Sequence, residues 1–528
     1  MAAFGYEWND FRGGYFLGPS EVNQPKNSWR GENVTISDDE ATLVPTYESE
    51  LLSLSGSGTS SGVIASGTTT TTWSDATYFN GYISFIGKTS STCTVYFVNT
   101  SSGAVTRKNL TDAGTGEFGP PVMVMELGSV VSYVAIGTSK VYKVDQATLT
   151  ESNYSVIQNV THLTLWNARM IAWSKASDQF IFSDALSFGS WPTLNFVGVG
   201  YSNDGISYCI PRNLDLVIVK PSGWYSITGV LGTNAAVRQM NDVLGVTQFD
   251  SAAQNNNVVY FNTDTGYQDF SVNLFAITGS RVEVAAFQRF GFGGSGAKIV
   301  STNLGYLGVS ALSNDGTNDF ATVFLLSAMN RWQQIKVPSS ITSAQNRRFA
   351  LAAGQVSRFT ASANDRTLYL LEYSSGNTTN SLAVRKLYPT TVEPGKISGS
   401  SNPAFATVKL SDISTQRPTM IRRVFVEAEM LQPPNAFYTG SASIQVRVNN
   451  KSVHDIPFSQ STGDATSGLS TAYTYPFSTF SSSSPAPYSQ VRVMRFNMDN
   501  AAYGYLQEVE LYFSGLRIRR VWVEGDSQ

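Results

Sequence analysis

The sequence is short of charge. Lys, Arg, Asp and Glu together make up 14% of 528 residues, where ordinary soluble chains carry roughly 25%. The charge that exists nearly cancels, at a formal −3, so no global basic field is available to hold a nucleic-acid backbone. Histidine is almost missing. With only His162 and His454, a His-rich metal site or a His-x-x-x-His pair is excluded. Both are read as structural, His162 beside strand residues and His454 before Asp455 in a hairpin. Cys93 and Cys209 lie far apart in apolar, strand-like runs and read as buried free thiols, because a disulfide framework needs more cysteines in a smaller chain. No apolar run approaches the ~18 residues of a transmembrane helix, so no membrane-spanning segment is expected. The opening Met1-Ala-Ala-Phe-Gly-Tyr has neither a basic n-region nor an apolar core, so no secretory signal is expected. The sequons at Asn33, Asn109 and Asn159 then follow from composition alone.

Ser, Thr, Asn, Gln and Gly fill the space that charge leaves. Such residues compete locally with a helical backbone and suit strands and turns. Hydrophobic residues at 42% and aromatics at 12% supply ample material to bury, and the length suggests roughly two to four domains. Long helical periodicities are absent. Short alternating runs recur instead, bounded by Gly, Asn, Asp and Ser: Tyr82-Ile-Ser-Phe-Ile, Thr94-Val-Tyr-Phe-Val, Val131-Ser-Tyr-Val-Ala-Ile, Phe180-Ile-Phe, Leu216-Val-Ile-Val, Val258-Val-Tyr-Phe, Thr322-Val-Phe-Leu-Leu and Leu368-Tyr-Leu-Leu. Period-two alternation between turn signals predicts strands.

Strand–turn–strand units repeat at gaps of roughly 35 to 55 residues, the spacing of propeller blades. The endings Tyr225-Ser-Ile-Thr-Gly and Phe275-Ala-Ile-Thr-Gly echo each other. Residues 76–400 are therefore expected to form a β-propeller of about six or seven blades, on the blade spacing above. From 401 to 528 the strands lengthen, and apolar residues alternate with Arg, Glu and Gln, as in Phe405–Leu410, Ile421–Glu429, Ala442–Val448, Val491–Phe496, Leu506–Phe513 and Leu516–Glu524. This pattern predicts a C-terminal antiparallel β-sandwich. Residues 1–50 read as an N-terminal arm with a short strand that packs on the sandwich. The Ser/Gly/Thr-rich stretch 51–75 reads as a linker or loop, having too little apolar area to offset its ordering. The Ser/Pro stretch 477–487 reads as an exposed loop.

Catalytic constellations are hard to find. No Gly-x-Ser-x-Gly elbow and no Gly-x-x-x-x-Gly-Lys-Ser/Thr loop occurs. Gly291-Phe-Gly-Gly-Ser-Gly lacks the strand–turn–helix setting of a phosphate cradle. Phe182-Ser-Asp-Ala-Leu-Ser-Phe-Gly-Ser-Trp191 superficially resembles the Asp-box hairpin of sialidase-like propellers. Asp184 follows Ser183 directly, however, and Gly189 lies five residues beyond it, so the register is wrong. Nor is there a blade-start arginine pattern to bind a substrate carboxylate. The chain reads as a non-enzyme, with no catalytic residue, cofactor site or metal site assigned. Trp191 with Pro192, and Trp224 with Tyr225, read as structural blade anchors: a bulky ring and a donor-free proline at a strand end, and two large faces between blades.

Three phrases carry a family resemblance. Phe180-Ile-Phe-Ser-Asp leads to Ser190-Trp-Pro-Thr-Leu-Asn-Phe-Val-Gly-Val-Gly, then Asn213-Leu-Asp-Leu-Val-Ile-Val-Lys ends in Gly223-Trp-Tyr-Ser-Ile-Thr-Gly. Gly13-Gly-Tyr-Phe-Leu-Gly-Pro precedes Asn27-Ser-Trp-Arg-Gly-Glu-Asn-Val, and Arg519-Arg-Val-Trp-Val-Glu closes the chain. These resemble the tail nozzle or tubular tail proteins of short-tailed bacteriophages. The resemblance implies a structural virion protein, made in the bacterial cytoplasm and built into the tail. There it would form a homo-oligomeric ring, a hexamer as in nozzle proteins, extending or gating the DNA channel. Its implied partners are adaptor, fibre and tip proteins, together with phage DNA in transit, which a surface poor in charge would not retain. Rival expectations are a tail adhesin or fibre protein binding a host surface glycan through exposed aromatics and Asn/Asp, a glycan depolymerase with carboxylates paired across a groove, and an intracellular scaffold.

Overall fold

A computed structural model describes residues 2–15, 27–36, 41–46, 49–57, 59–60, 62–66, 72–89, 91–111, 116–212, 214–241, 252–255, 258–263, 272–278, 281–288, 298–301, 307–314, 319–326, 332–338, 347–353, 368–375, 380–387, 406–430, 443–449, 473–474, 492–497, 503–514 and 516–528. Among these residues every regular element is a strand, and no helix is long and apolar enough to cross a membrane. The fold is all-β. His454, the Gly291–Gly296 stretch and the 477–487 loop lie outside the described residues.

The chain divides into two compact units, one of residues 50–328 and 337–387, the other of residues 1–49, 329–336 and 388–528. In the first unit the sheets follow one another in chain order. Thr77–Phe79, Tyr82–Lys88, Cys93–Asn99 and Ala104–Asn109 form the first antiparallel meander. Val122–Glu126, Ser129–Ala135, Thr138–Asp145 and Glu151–Val160 form the second. The third consists of His162–Trp166, Arg169–Trp173, Gln179–Phe182 and Phe196–Gly198, and the fourth of Tyr208–Pro211, Asp215–Lys220, Gly223–Thr228 and Ala236–Asn241. A fifth runs from Ala252–Asn255 to Arg281–Gln288, a sixth holds Lys298–Ser301, Leu307–Asn314 and Asp319–Leu326, and a last holds Arg347–Ala353, Leu368–Ser375 and Asn380–Leu387. The first strand of each sheet neighbours the first strand of the next, and Thr77–Phe79 also neighbours Arg347–Ala353, so the succession closes on itself.

The expected linker over 51–75 is instead strand-rich. Val63–Ser66 pairs antiparallel with Asn380–Leu387, and Ser55–Gly56 runs parallel to Ala104–Asn109. Leu52, Leu54 and Ile64 are buried with Tyr369, Leu371, Leu382 and Val384. Three well-placed apolar residues and a ready sheet edge suffice here, a partner that composition cannot reveal.

The second and third sheets bury both faces, which is why alternation persists there without a polar side. Along Ser129–Ala135, Val130 and Val134 pack toward the first sheet, while Val131, Tyr133 and Ala135 pack toward the third. Along Arg169–Trp173, Met170 and Ala172 face the second sheet and Ile171 and Trp173 the fourth. Ser84 and Ser132 meet between the first two sheets at 3.1 Å, a buried polar pair that satisfies itself.

The second unit has two sheets around one core. In one, Val34–Ile36, Leu43–Pro45, Leu516–Ser527, Ile413–Met430 and Arg492–Asn497 are neighbours, with Ala2–Trp8 paired to Leu516–Ser527 from Ala2↔Ser527 to Trp8↔Val521. The other runs Ser28–Glu32, Ala406–Leu410, Val509–Ser514, Ser443–Val448. Trp8, Trp29, Val408, Val424, Val446, Leu511 and Val521 share the core. The single strand expected over Leu506–Phe513 is two: Gly504–Gln507 pairs in the first sheet and Val509–Ser514 in the second, with the chain changing sheets at Glu508. Met329–Lys336, inside the stretch read as propeller, also sorts with this unit, Gln334 pairing with Val34.

Candidate functional site

Residues 183–195 form the long connection between Gln179–Phe182 and Phe196–Gly198, and they hold the one acid that sequence alone made a candidate. Ser183 is buried; its Oγ accepts the Met170 amide at 2.9 Å and donates to the Asp184 carbonyl at 3.0 Å. The Asp184 carboxylate accepts Ser190 Oγ at 2.6 Å and Asn195 Nδ2 at 3.3 Å, while its amide donates to the Ser190 carbonyl at 2.9 Å. Both carboxylate oxygens are thus engaged within the loop. Phe188 sets its edge against Tyr133 at 5.9 Å, and a Cβ on Gly189 would stand 2.7 Å from the Tyr154 ring. Asp184 is a clip that folds this loop over the second sheet.

Other polar clusters, none of them singled out by sequence, are equally self-contained. In the second sheet Tyr133 Oη donates to Glu126 Oε1 at 2.6 Å and Lys143 Nζ to Oε2 at 2.5 Å. Burial, then the hydrogen bond to Glu126, pushes the Tyr133 phenol far up, so it stays protonated. Burial pulls the Lys143 ammonium down, but the Glu126 carboxylate outweighs it and raises the group. A tyrosine that cannot ionise is a poor nucleophile. In the fourth sheet Arg212 grips Asp215 through two bonds of 2.7 and 2.5 Å, and Ser226 Oγ donates to the same carboxylate at 2.5 Å. Lys220 is fully buried, donating to the carbonyls of Val199 at 2.6 Å and Tyr201 at 3.0 Å; burial lowers its pKa despite nearby Asp204 and Asp178. His162 is buried with Nδ1 2.8 Å from Thr161 Oγ1 and its ring stacked on Trp173. Cys93 and Cys209 are buried free thiols that burial pushes up.

Several of these bonds join one sheet to the next. Thr77 Oγ1 donates to the Pro121 carbonyl at 2.6 Å, the Gly119 amide to the Thr161 carbonyl at 2.7 Å, Trp166 Nε1 to the Arg212 carbonyl at 3.2 Å, and Tyr373 Oη to the Ser74 carbonyl at 2.7 Å. What this arrangement does chemically is hold sheets in place. Among the described residues no three His, Cys, Asp or Glu side chains gather as a metal site.

The expected anchors divide. Trp224 and Tyr225 are buried on Gly223–Thr228, Tyr225 packing with Trp166, Phe180 and Ile218. Trp191 is half-buried against the core of the second and third sheets, its Nε1 donating to the Phe188 carbonyl at 3.0 Å. Pro192 is exposed. Neither Trp191 nor Pro192 ends a strand; both sit within the 183–195 connection, because the Asp184 clip draws the chain away from the sheet before the outer strand begins at Phe196. Lys220 had a signal that could have found it, a lone cation closing the apolar run Leu216-Val-Ile-Val. Glu126, Tyr133 and Lys143 had none, since their meeting depends on strand register.

No protein-family model matches the chain, and no curated protein matches it. Solved structures similar to it include BamB from Moraxella catarrhalis, at 13% identity and TM-score 0.37 over 70% of this chain and 98% of that one. Raptor from Chaetomium thermophilum gives 9% and 0.43 over 65% of this chain and 30% of that one. The WD40 domain of Toxoplasma gondii coronin gives 7% and 0.41 over 66% and 90%. At these scores the likenesses carry no argument about what the chain does.

Proposed function

We propose that the chain is a non-catalytic structural protein of a bacteriophage tail, a ring-forming nozzle or tail-tube component. In this reading the first unit is a seven-bladed β-propeller whose last blade is completed by Val63–Ser66, and the second is a β-sandwich. The observation that carries it is the closed succession of sheets, pinned one to the next by hydrogen bonds, with the carboxylates of Asp184, Glu126 and Asp215 each engaged internally. Such a body resists deformation and presents a fixed platform, which suits an assembly part better than a site that must bind and release. The phrases Phe180–Asp184, Ser190–Gly200 and Asn213–Gly229 that resemble nozzle proteins fall on the third and fourth blades, so the resemblance and the repeating sheets concern the same region.

The test is assembly. The full chain, purified and viewed by electron microscopy with mass photometry, is expected to form closed rings of one copy number, and antibodies to it are expected to decorate the tails of purified particles. A chain that stays monomeric over a wide concentration range and is absent from particles overturns the proposal. Retention on a host-glycan array by monomers would favour an adhesin instead.

A further inference from the structure

Where the succession of sheets closes, one short stretch of chain lies along the outer strands of both the first and the last sheet. Glu50–Leu51 and Val63–Ser66 pair antiparallel with Asn380–Leu387, the outer strand of the last. Between them Ser55–Gly56 runs parallel to Ala104–Asn109, the outer strand of the first. The Leu52 amide donates to the Val384 carbonyl at 2.9 Å, the Ser55 amide to the Gly103 carbonyl at 3.0 Å and the Ser57 amide to the Val105 carbonyl at 3.2 Å. Among the described residues of this stretch only Leu52, Leu54 and Ile64 are buried.

The seam beneath is held by other groups. Tyr373 Oη donates to the Ser74 carbonyl at 2.7 Å, Trp73 stacks on Tyr373 at 5.9 Å, and Tyr78 meets Tyr369 at 4.8 Å. The 50–66 stretch, by contrast, rests on pairings of two or three residues each and on three apolar side chains. Against these stands the ordering entropy of a segment rich in Ser and Gly. It is therefore the part of the seam that can leave while the sheets stay joined. Its departure bares two strand edges and three apolar seats, a template for another extended chain.

The template is selective. It sets an acid, Glu50, opposite Lys386 in register. It buries alternate residues at 52 and 54, and takes Ile64 opposite Leu382. At 56 it needs glycine, since Gly56 holds φ 108° and a Cβ there would stand 2.7 Å from the Val105 carbonyl oxygen. The segment shown to meet these demands is the one seated there, and a second copy of the chain carries it at the same spacing. We propose that the outer strands Ala104–Asn109 and Asn380–Leu387 form a strand-acceptor site for the 50–66 segment of a second copy, which displaces the resident segment by exchange. Every bond lost within one chain is regained between two, so the exchange is set by concentration and by how readily the resident segment opens. This inference goes beyond the tail proposal and stands on the strand pairings alone.

The test joins positions 51 and 385 of the full chain. Leu51 and Arg385 are register partners next to the bond from Leu52 to Val384, so they occupy a non-hydrogen-bonded pair, whose spacing suits a disulfide. Leu51→Cys chains mixed with Arg385→Cys chains at high concentration and then oxidised are expected to yield a 51–385 link between chains, mapped by mass spectrometry. Adding Ile64→Ala to both should speed its formation at least about tenfold, because the resident segment opens more easily. A fluorescent peptide of residues 49–66 should bind the wild type. It should not bind the double variant Leu51→Cys/Arg385→Cys oxidised beforehand at low concentration, and reduction should restore binding. Absence of the link between chains overturns the proposal, as does peptide binding that the closed double variant leaves unchanged. Failure of the double variant to link within one chain overturns it too, since the resident pairing would then be absent.

Discussion

The two units bury comparable kinds of residue but gather them differently. From Thr77 to Asn241 each meander comes from one continuous stretch of chain, and each strand's partner is the next strand. The other unit takes its core from two distant stretches, with Trp8 and Val34 packed beside Val424, Leu511 and Val521. Its longest pairing matches Ile413–Met430 with Leu516–Ser527, and Ala2–Trp8 then adds to the same strand from the far end of the sequence. Local meanders close short loops and announce themselves through turn residues; distant pairings close long loops and leave no mark between partners. Among the described residues of the first unit the most distant pairings lie where its succession of sheets is sealed, at Val63–Ser66 and Glu50–Leu51 on Asn380–Leu387.

This contrast can be broken by experiment. Trp8→Ala removes a fully buried ring and the bond from Nε1 to Ser411 Oγ at 2.8 Å, and should cost about 3–5 kcal/mol. Hydrogen exchange should then lose protection across 2–8, 406–430 and 516–527 while 122–228 keeps it; equal loss in both would erase the distinction. Ile64→Ala, at the sealing strand, should cost about 2–4 kcal/mol and expose 380–387 and 63–66 to exchange first. Unchanged protection at 380–387 would show that the seal adds nothing. Thr77→Val strips the 2.6 Å bond to the Pro121 carbonyl between the first two sheets and should cost about 1 kcal/mol by chemical denaturation, with no change in the other unit's exchange.

The smallest expected effect depends on acid. Burial pushes the Asp145 carboxyl up, but the Thr148 and Ala147 amides and the Thr148 hydroxyl bind it more strongly and hold it below its usual value. Its contribution is therefore present above the unfolded carboxyl value and fades as pH falls through the lower folded one. Because the group is largely solvated, Asp145→Asn should cost only about 0.5 kcal/mol near neutrality, with the gap to wild type closing below about pH 4. A gap that persisted unchanged into acid would show that the turn's hydrogen-bonding shape matters and its charge does not.

Where periodicity met local pairing, the sequence was informative. Tyr82–Ile86, Thr94–Val98, Phe180–Phe182 and Leu216–Val219 all fall within strands. It misled at 51–75, where Leu52, Leu54 and Ile64 are too few to outweigh the surrounding Ser and Thr until a distant edge receives them. It misled again at Trp191–Pro192, since a proline after a bulky ring reads as a strand end whether or not the strand is there. Asp184 could be noticed from its neighbours, but its engagement by Ser190 and Asn195 could not.

Composition and period-two alternation alone determined that this chain is built of strands, because a residue's tendency to lie in a pleat with both sides buried is set by its own side chain and its near neighbours. Only the tertiary structure decided which strand seals the succession of sheets and where Glu508 lets the chain change sheets. Each of these depends on strand register and on partners well beyond the neighbouring turn, as far apart as Ile64 and Leu382 at the seal, and no local preference encodes such a partner.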